Sequence, residues 1–306
     1  MYNVEEEKII EQIKQLKKSK KAIILAHNYQ LLEVQKVADF VGDSLQLAQK
    51  AKEVDADIIV FAGVLFMAET AKLLNPKVKV LLAKDGAGCP MADMIKPFQL
   101  QEFKVQHPDY QVVCYVNSSI EIKAESNVCV TSSNAVKIVE SIDKDTPILF
   151  VPDQNLGNYT KMKTGRNIRV WDGMCPIHHF IFTVNDIDKM RKDYPNHKII
   201  VHPECQLDVI KAADFAASTK GVADYVAEHD NIILGTEIGL VEALQYKYPE
   251  KSILPLSSMA VCIDMKKTQL IDILKTLENE ANEITISPEI AKKAAVAIDR
   301  MLELSK

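Results

Sequence analysis

The sequence predicts an α/β protein made of three related units, each a small parallel sheet covered by helices, arranged with pseudo-three-fold symmetry around a central cavity. The first observation is the spacing of Cys89, Cys175 and Cys262, at intervals of 86 and 87 residues. The second is that other features keep the same register. An apolar run ends in a polar or aromatic residue at His27, Tyr115 and His202, and a hydroxyl follows seventeen residues later at Ser44, Ser132 and Thr219. Pro108 and Pro195 repeat at 87, while Pro76 and Pro249, like Glu69 and Glu242, repeat at 173. A fixed internal period marks a duplicated structural unit. The third is that short apolar runs alternate with segments of helical spacing, the pattern of parallel strands joined by covering helices.

The elements follow in chain order. Residues 4–18 carry Val4, Ile9, Ile10, Ile13 and Leu16 at helical spacing, then the basic run Lys17-Lys18-Ser19-Lys20-Lys21 suited to a helix carboxyl end. The first unit has strands at Ala22–Ala26, Ile58–Ala62 and Val78–Ala83, with helices over Leu45–Lys52 and near Ala68–Leu74. The second has Gln111–Val116, a helix over Asn134–Ser141, Ile148–Val151 and Ile168–Trp171. Between Pro152 and Lys163 its pattern weakens, and Gln154, Asn155, Gly157 and Asn158 predict a loop. The third has strands at Lys198–His202, Ile232–Gly235 and Ile253–Leu256, with helices at Val222–His229 and near Leu240–Tyr246. Helices over Lys266–Glu280 and from Pro288, with Ser287 as N-cap, close the chain. The expected domains are 1–106, 107–194 and 195–306.

Composition narrows the function classes. An apolar fraction of 47% with 26% charged residues supplies an ordinary globular core. The longest apolar stretch, Ile58 to Ala68, is about half the roughly 20 residues of a membrane helix. The start at Glu5-Glu6-Glu7 lacks the basic-then-apolar order of a signal peptide, so a cytoplasmic location is expected. A net charge of −5 disfavours nucleic acid or anionic membrane as partner. Six scattered cysteines in such a chain suit metal ligands or buried apolar residues better than a disulfide framework.

Cys89 and Cys175 each precede proline, in Gly86-Ala87-Gly88-Cys89-Pro90 and Asp172-Gly173-Met174-Cys175-Pro176, whereas Met259-Ala260-Val261-Cys262-Ile263 departs from that pattern. Taken singly, each could be a buried thiol. Their shared register, with glycine turns where backbone can approach a bulky ligand, favours a metal site. Thiolates select zinc, copper or an iron–sulfur cluster. Three ligands leave one position open for Lewis-acid chemistry. Cys114 and Cys129 lie in apolar strand-like stretches out of register and belong to core packing. Cys205, beside Glu204, could be a fourth ligand, but no repeat partner supports it.

Ser44, Ser132 and Thr219 stand at strand-to-helix turns and could be plain N-caps. Three helix starts related by symmetry would also direct backbone N–H groups toward phosphate or carboxylate. Neither a Gly-x-Gly-x-x-Gly nor a Gly-x-x-x-x-Gly-Lys-Ser/Thr motif occurs, so nucleotide binding lacks its usual signature. His27, Tyr29, Tyr115, Asn117, His202 and Glu204 fall at the carboxyl ends of the first strands, where parallel sheets bind ligands. His202-Pro203-Glu204 offers an acid/base pair for enolisation of a carbonyl compound. His178 could reach the metal or, with His179 beside it, lie at the surface.

From about Ala26 to Cys262 the chain resembles the quinolinate synthase family of NAD biosynthesis. The likeness rests on Ala26-His27-Asn28-Tyr29-Gln30, Gly42-Asp43-Ser44-Leu45, Tyr115-Val116-Asn117, Thr131-Ser132-Ser133-Asn134-Ala135, Cys175-Pro176-x-His178, Val201-His202-Pro203-Glu204-Cys205 and Ser218-Thr219. The resemblance implies a transferase condensing iminoaspartate with dihydroxyacetone phosphate to quinolinate, phosphate and water. It implies a [4Fe-4S] cluster on Cys89, Cys175 and Cys262 with one open iron. It also implies that Ser44, Ser132 and Thr219 hold phosphate or carboxylate, that Glu204 and Tyr29 move protons, and that His27, Tyr115, Asn117 and His202 orient the intermediate. Some relatives carry a Cys-x-x-Cys near the last ligand; Cys262-Ile263-Asp264-Met265 does not, so a redox switch of that kind is not expected. The alternatives are an iron–sulfur hydro-lyase acting on another small anionic acid and a non-catalytic metal or cluster sensor. The expected partners are the two small substrates and, functionally, the enzyme that makes iminoaspartate.

Overall fold

The computed structural model describes residues 4–306, so the first three residues of the expected domain 1–106 lie outside the described residues. Twelve strands form three four-stranded parallel sheets among the described residues. The first contains β1 (Ala22–His27), β2 (Phe40–Gly42), β3 (Ile58–Ala62) and β4 (Lys79–Leu82), in the order β2-β1-β3-β4. The second contains β5 (Gln111–Tyr115), β6 (Val128–Val130), β7 (Ile148–Val151) and β8 (Ile168–Val170), in the order β6-β5-β7-β8. The third contains β9 (Lys198–Val201), β10 (Phe215–Ala216), β11 (Asn231–Gly235) and β12 (Ser252–Pro255), in the order β10-β9-β11-β12. One topology occurs three times, as the period of the sequence requires.

The chain forms two compact units. One joins the described residues up to Cys89 with Cys262–Ala291 and holds the first sheet. In it, Ile24 and Ala26 of β1, Ile58, Val60 and Ala62 of β3 and Leu81 of β4 form one face. Ile13 of the helix Val4–Ser19 and Leu270, Ile273, Leu274 and Leu277 of the helix Leu270–Asn279 complete that apolar cluster. Removing this surface from water is the main favourable term holding the layer together. The other unit joins Pro90–Val261 with Lys292–Lys306 and holds the second and third sheets.

Each sheet has a fourth, outer strand that the hydrophobic pattern did not reveal: β2, β6 and β10 span two or three residues, too few to show any periodicity. A short helix leads to each, at Leu32–Val37, Ile120–Ala124 and Leu207–Ala212. The stretch from Pro152 to Lys163 is not a loop; Gln154–Thr164 is a helix. Asp153 caps it by accepting the Leu156 N–H at 2.6 Å, and Gly165 ends it in the left-handed conformation. Its polar composition misleads because Gly157 makes the contact: a Cβ there would come 2.7 Å from Val170 Cγ1. Absence of a side chain lets the helix lie close against the sheet. The expected helix Lys266–Glu280 is two elements, Ile263–Lys266 and Leu270–Asn279, the second preceded by Gln269 paired with Asp272 in a capping box.

Among the described residues no helix is long and apolar enough to cross a membrane.

Candidate active site

In each sheet the polar end of the central first strand lies beside the end of the short outer strand. His27 pairs with Gly42, Tyr115 with Val130, and Val201 with Ala216. The hydroxyl residues follow those outer strands within two or three positions, so each of Ser44, Ser132 and Thr219 stands at the carboxyl end of its sheet. The capping roles fall to their neighbours. Asp43 caps the helix Ser44–Glu53 and forms a reciprocal pair with Gln46, while Ser218 caps Thr219–Glu228 by accepting the Gly221 N–H at 3.2 Å. Ser44 and Thr219 are therefore the first helical residues rather than the caps. Ser132 lies in the turn before Ala135–Ser141, where Asn134 Oδ1 accepts the Thr131 N–H.

The first unit carries His27, Tyr29, Ser44, Cys89 and Cys262. His27 and Tyr29 are buried and meet edge to face, with ring centroids 4.6 Å apart. The Tyr29 N–H donates to His27 Nδ1 at 3.2 Å. The second unit repeats this turn: the Glu204 N–H donates to His202 Nδ1 at 3.3 Å. An imidazole that accepts at Nδ1 carries its proton at Nε2 when neutral, so backbone geometry makes the His27 ring a donor on its outer edge.

The second unit gathers the densest cluster. Cys175 is the N-cap residue of Pro176–Phe180, and proline at the first helical position brings His178 over it one turn later, Nδ1 3.3 Å from Cys175 Sγ. His178 Nδ1 is 2.6 Å from Glu204 Oε2, and His178 Nε2 is 3.3 Å from Thr236 Oγ1. His202 stacks on His178 at 4.5 Å and places Nδ1 3.5 Å from the same Glu204 oxygen. Burial pushes the Glu204 carboxyl up, but the charges of His202 and His178, with hydrogen bonds from His178 and Tyr115, outweigh it and hold it at about 2. Glu204 is thus an ion with one oxygen engaged by imidazole. Its Oε1 is buried without a hydrogen-bond partner, as is Asn117 Oδ1. Buried acceptors left open in this way are what an incoming polar ligand satisfies.

The thiol of Cys175, a ring nitrogen of His178 and a carboxylate oxygen of Glu204 lie within 4.8 Å of one another, so this group could hold a metal ion. His178 is therefore a buried member of the cluster rather than a surface residue, while His179 beside it, with Nδ1 2.9 Å from Asn155 Nδ2, is half-buried. The six cysteines form no disulfide and divide by environment. Cys89, Cys175 and Cys262 are partly exposed, whereas Cys114, Cys129 and Cys205 are buried. Cys205 packs among Val209, Ile210 and Leu256, and burial followed by the Glu204 charge pushes its thiol well up, a poor setting for a thiolate ligand.

Two participants carried no functional signal in the sequence. Asp153, fully buried, accepts the Cys175 N–H at 3.1 Å through Oδ2 while Oδ1 caps the following helix. Burial and then the Glu204 charge push its carboxyl well up. Thr236 directly follows β11 and places Oγ1 3.3 Å from His178 Nε2. An N-cap pattern before a helix was the available clue to Asp153; nothing local distinguished Thr236.

The family described as quinolinate synthetase A protein matches residues 11–303. A quinolinate synthase of Dehalococcoides mccartyi (strain CBDB1) is 51% identical over 300 residues, covering 97% of this chain and 99% of that protein. A quinolinate synthase of Thermococcus kodakarensis is 48% identical over 304 residues, covering 99% and 100%. One of Alkaliphilus metalliredigens is 47% identical over 302 residues, covering 98% and 99%.

Proposed function

We propose, from the premise that this chain belongs to the quinolinate synthetase A protein family, that it is a quinolinate synthase of NAD biosynthesis. It condenses iminoaspartate with dihydroxyacetone phosphate to give quinolinate, phosphate and water. The observation that carries this assignment is the buried Glu204 carboxylate, paired with His178 through Oε2, open at Oε1 and adjacent to the Cys175 thiol.

Partly exposed thiols on Cys89, Cys175 and Cys262 are chemically suited to an iron–sulfur cluster, and we assign them as its three ligands. When bound, a [4Fe-4S] cluster with one open iron supplies a Lewis acid for departing hydroxide and developing negative charge. The remaining work falls to side chains. Glu204, ionised at neutral pH, presents its open Oε1 as the acceptor for a substrate proton. Tyr29 and His202 complete the proton-moving set. The Nε2–H edge of His27 donates to a substrate oxygen, and His202, Tyr115 and Asn117 orient the intermediate. Ser44, Ser132 and Thr219, at helix starts or the turn before one, hold phosphate and carboxylate groups.

In this scheme the chain is organised as 1–106, 107–194 and 195–306 and works in the cytoplasm. Its partners are the two small substrates, with functional coupling to the enzyme that makes iminoaspartate. Nucleic acid and membrane play no part.

The test is anaerobic incubation of cluster-reconstituted protein with freshly generated iminoaspartate and dihydroxyacetone phosphate. Pyridine dicarboxylate is expected in amounts proportional to enzyme. Its absence from protein carrying a full complement of iron and sulfide sinks the assignment.

A further inference from the structure

The residues that follow Cys262 hold the turn that precedes Cys89, although the two segments are 176 positions apart in sequence. Asp264 Oδ1 accepts the Gly88 N–H at 3.2 Å and the Lys267 ammonium at 2.7 Å. The same ammonium donates to the Gly86 carbonyl at 2.7 Å. One ion pair therefore grips both glycines of Gly86-Ala87-Gly88, directly before the thiol. Gly86 sits at φ +72, a conformation glycine takes without strain but does not hold by itself. Charge-assisted hydrogen bonds to both ends of the turn supply the restraint that its sequence lacks. The neighbouring residues extend the grip to the end of β1. Lys266 Nζ donates to the Tyr29 carbonyl at 2.6 Å, and Gln30 Nε2 lies 3.4 Å from the sulfur of Met265.

We propose that Asp264 and Lys267 are positioning residues that set the separation and aim of the Cys89 and Cys262 thiols before a metal group is loaded. The proposal rests on the assignment of both cysteines as cluster ligands. The side chains of Asp264 and Lys267 retain 19% and 40% of their accessible surface, so such a pair adds little to global stability. Its effect is local: it removes freedom from one ligand turn by tying it to the helix that carries the other. Met265 stands where a Cys-x-x-Cys would place its second thiol, and in this chain that position packs instead of ligating.

The test compares wild type, Asp264→Ala, Asp264→Asn and Lys267→Ala after anaerobic reconstitution. The readouts are iron and sulfide per chain, the rate of iron release to a chelator, the electron paramagnetic resonance spectrum of the reduced protein, and the unfolding midpoint. Asp264→Ala is expected to release iron about 10-fold faster or more, the scale on which residues supporting metal ligands act. Its spectrum should broaden while the unfolding midpoint stays near wild type. Asp264→Asn keeps an acceptor for Gly88 but loses the ion pair and should fall between, as should Lys267→Ala. Wild-type release rates and spectra in folded Asp264→Ala and Lys267→Ala overturn the clamp. If Asp264→Ala does not fold, wild-type behaviour of Asp264→Asn and Lys267→Ala together overturns it equally. Cys89→Ala and Cys262→Ala separate the two levels: if either keeps a full cluster, the ligand assignment has failed and the clamp with it. If both lose the cluster while the clamp variants match wild type, only the clamp has failed.

Discussion

Gly173 stands two residues before Cys175, and replacing it with alanine perturbs the site without touching any reactive group. A Cβ at Gly173 would lie 2.4 Å from the Pro152 carbonyl oxygen and 3.3 Å from Met94 Cβ. Side-chain carbons essentially never approach within 3.0 Å, so backbone must move by at least 0.6 Å. That motion has few places to go. Gln154 N–H donates to the Gly173 carbonyl at 2.7 Å, and Asp153 accepts the Cys175 N–H at 3.1 Å, so Pro152 and the thiol-bearing turn are stitched together on both sides of the clash. Overpacking of this kind costs about 1–3 kcal/mol. A displacement approaching 1 Å at a reacting site can cost about 100-fold in rate. Gly173→Ala should therefore lose about 2 kcal/mol in urea denaturation and about 10- to 100-fold in anaerobic quinolinate formation. A variant within about 0.5 kcal/mol and twofold of wild type would refute the reasoning, because surface-like tolerance is incompatible with a fixed turn.

Glu204→Gln keeps the shape of the carboxyl but cannot accept a proton, and should lower turnover by about 100- to 10,000-fold at unchanged iron content; a loss under tenfold would remove Glu204 from proton transfer. Cys205→Ala should keep a full cluster and cost only about 1 kcal/mol, whereas Cys175→Ala should lose the cluster; iron loss in Cys205→Ala would exchange the two assignments. Glu280 is held at about 2 by hydrogen bonds from Lys79 and Lys20 and by their charges. A carboxyl depressed from 4.5 contributes stability that is present above pH 4.5 and lost as pH falls through about 2. Glu280→Gln should flatten that part of the acid profile, more in low than in high salt; parallel acid curves for both proteins would show that the pairs contribute nothing.

The triplicated topology was legible because repetition survives in features that do not depend on neighbours: Cys89, Cys175 and Cys262, the strand ends at His27, Tyr115 and His202, and the hydroxyls beyond them. The strands buried on both faces showed as unbroken apolar runs such as Ile58–Ala62, every residue of which is buried. The three outer strands were illegible for the opposite reason. Two or three residues carry no period, and their pairing depends on β1, β5 and β9 already being in place. The helix Gln154–Thr164 is illegible in the sequence because Asn155, Gly157 and Asn158 favour turns in isolation, while Asp153 and the contact of Gly157 with Val170 favour a helix only once the sheet is present.

By itself the sequence determined the period, the parallel α/β class, the register of three cysteines and the candidate polar residues at strand ends. All of these are properties of order along a chain. Tertiary structure alone decided protonation and partnership. It kept the buried Glu204 ionised by setting two imidazoles beside it, left Oε1 open, brought His178 against Thr236, fastened Cys175 to Asp153 and joined the turns of Cys89 and Cys262 through Asp264 and Lys267. Electrostatic and hydrogen-bond energies depend on distance in space, and these partners are brought within a few ångströms only by folding.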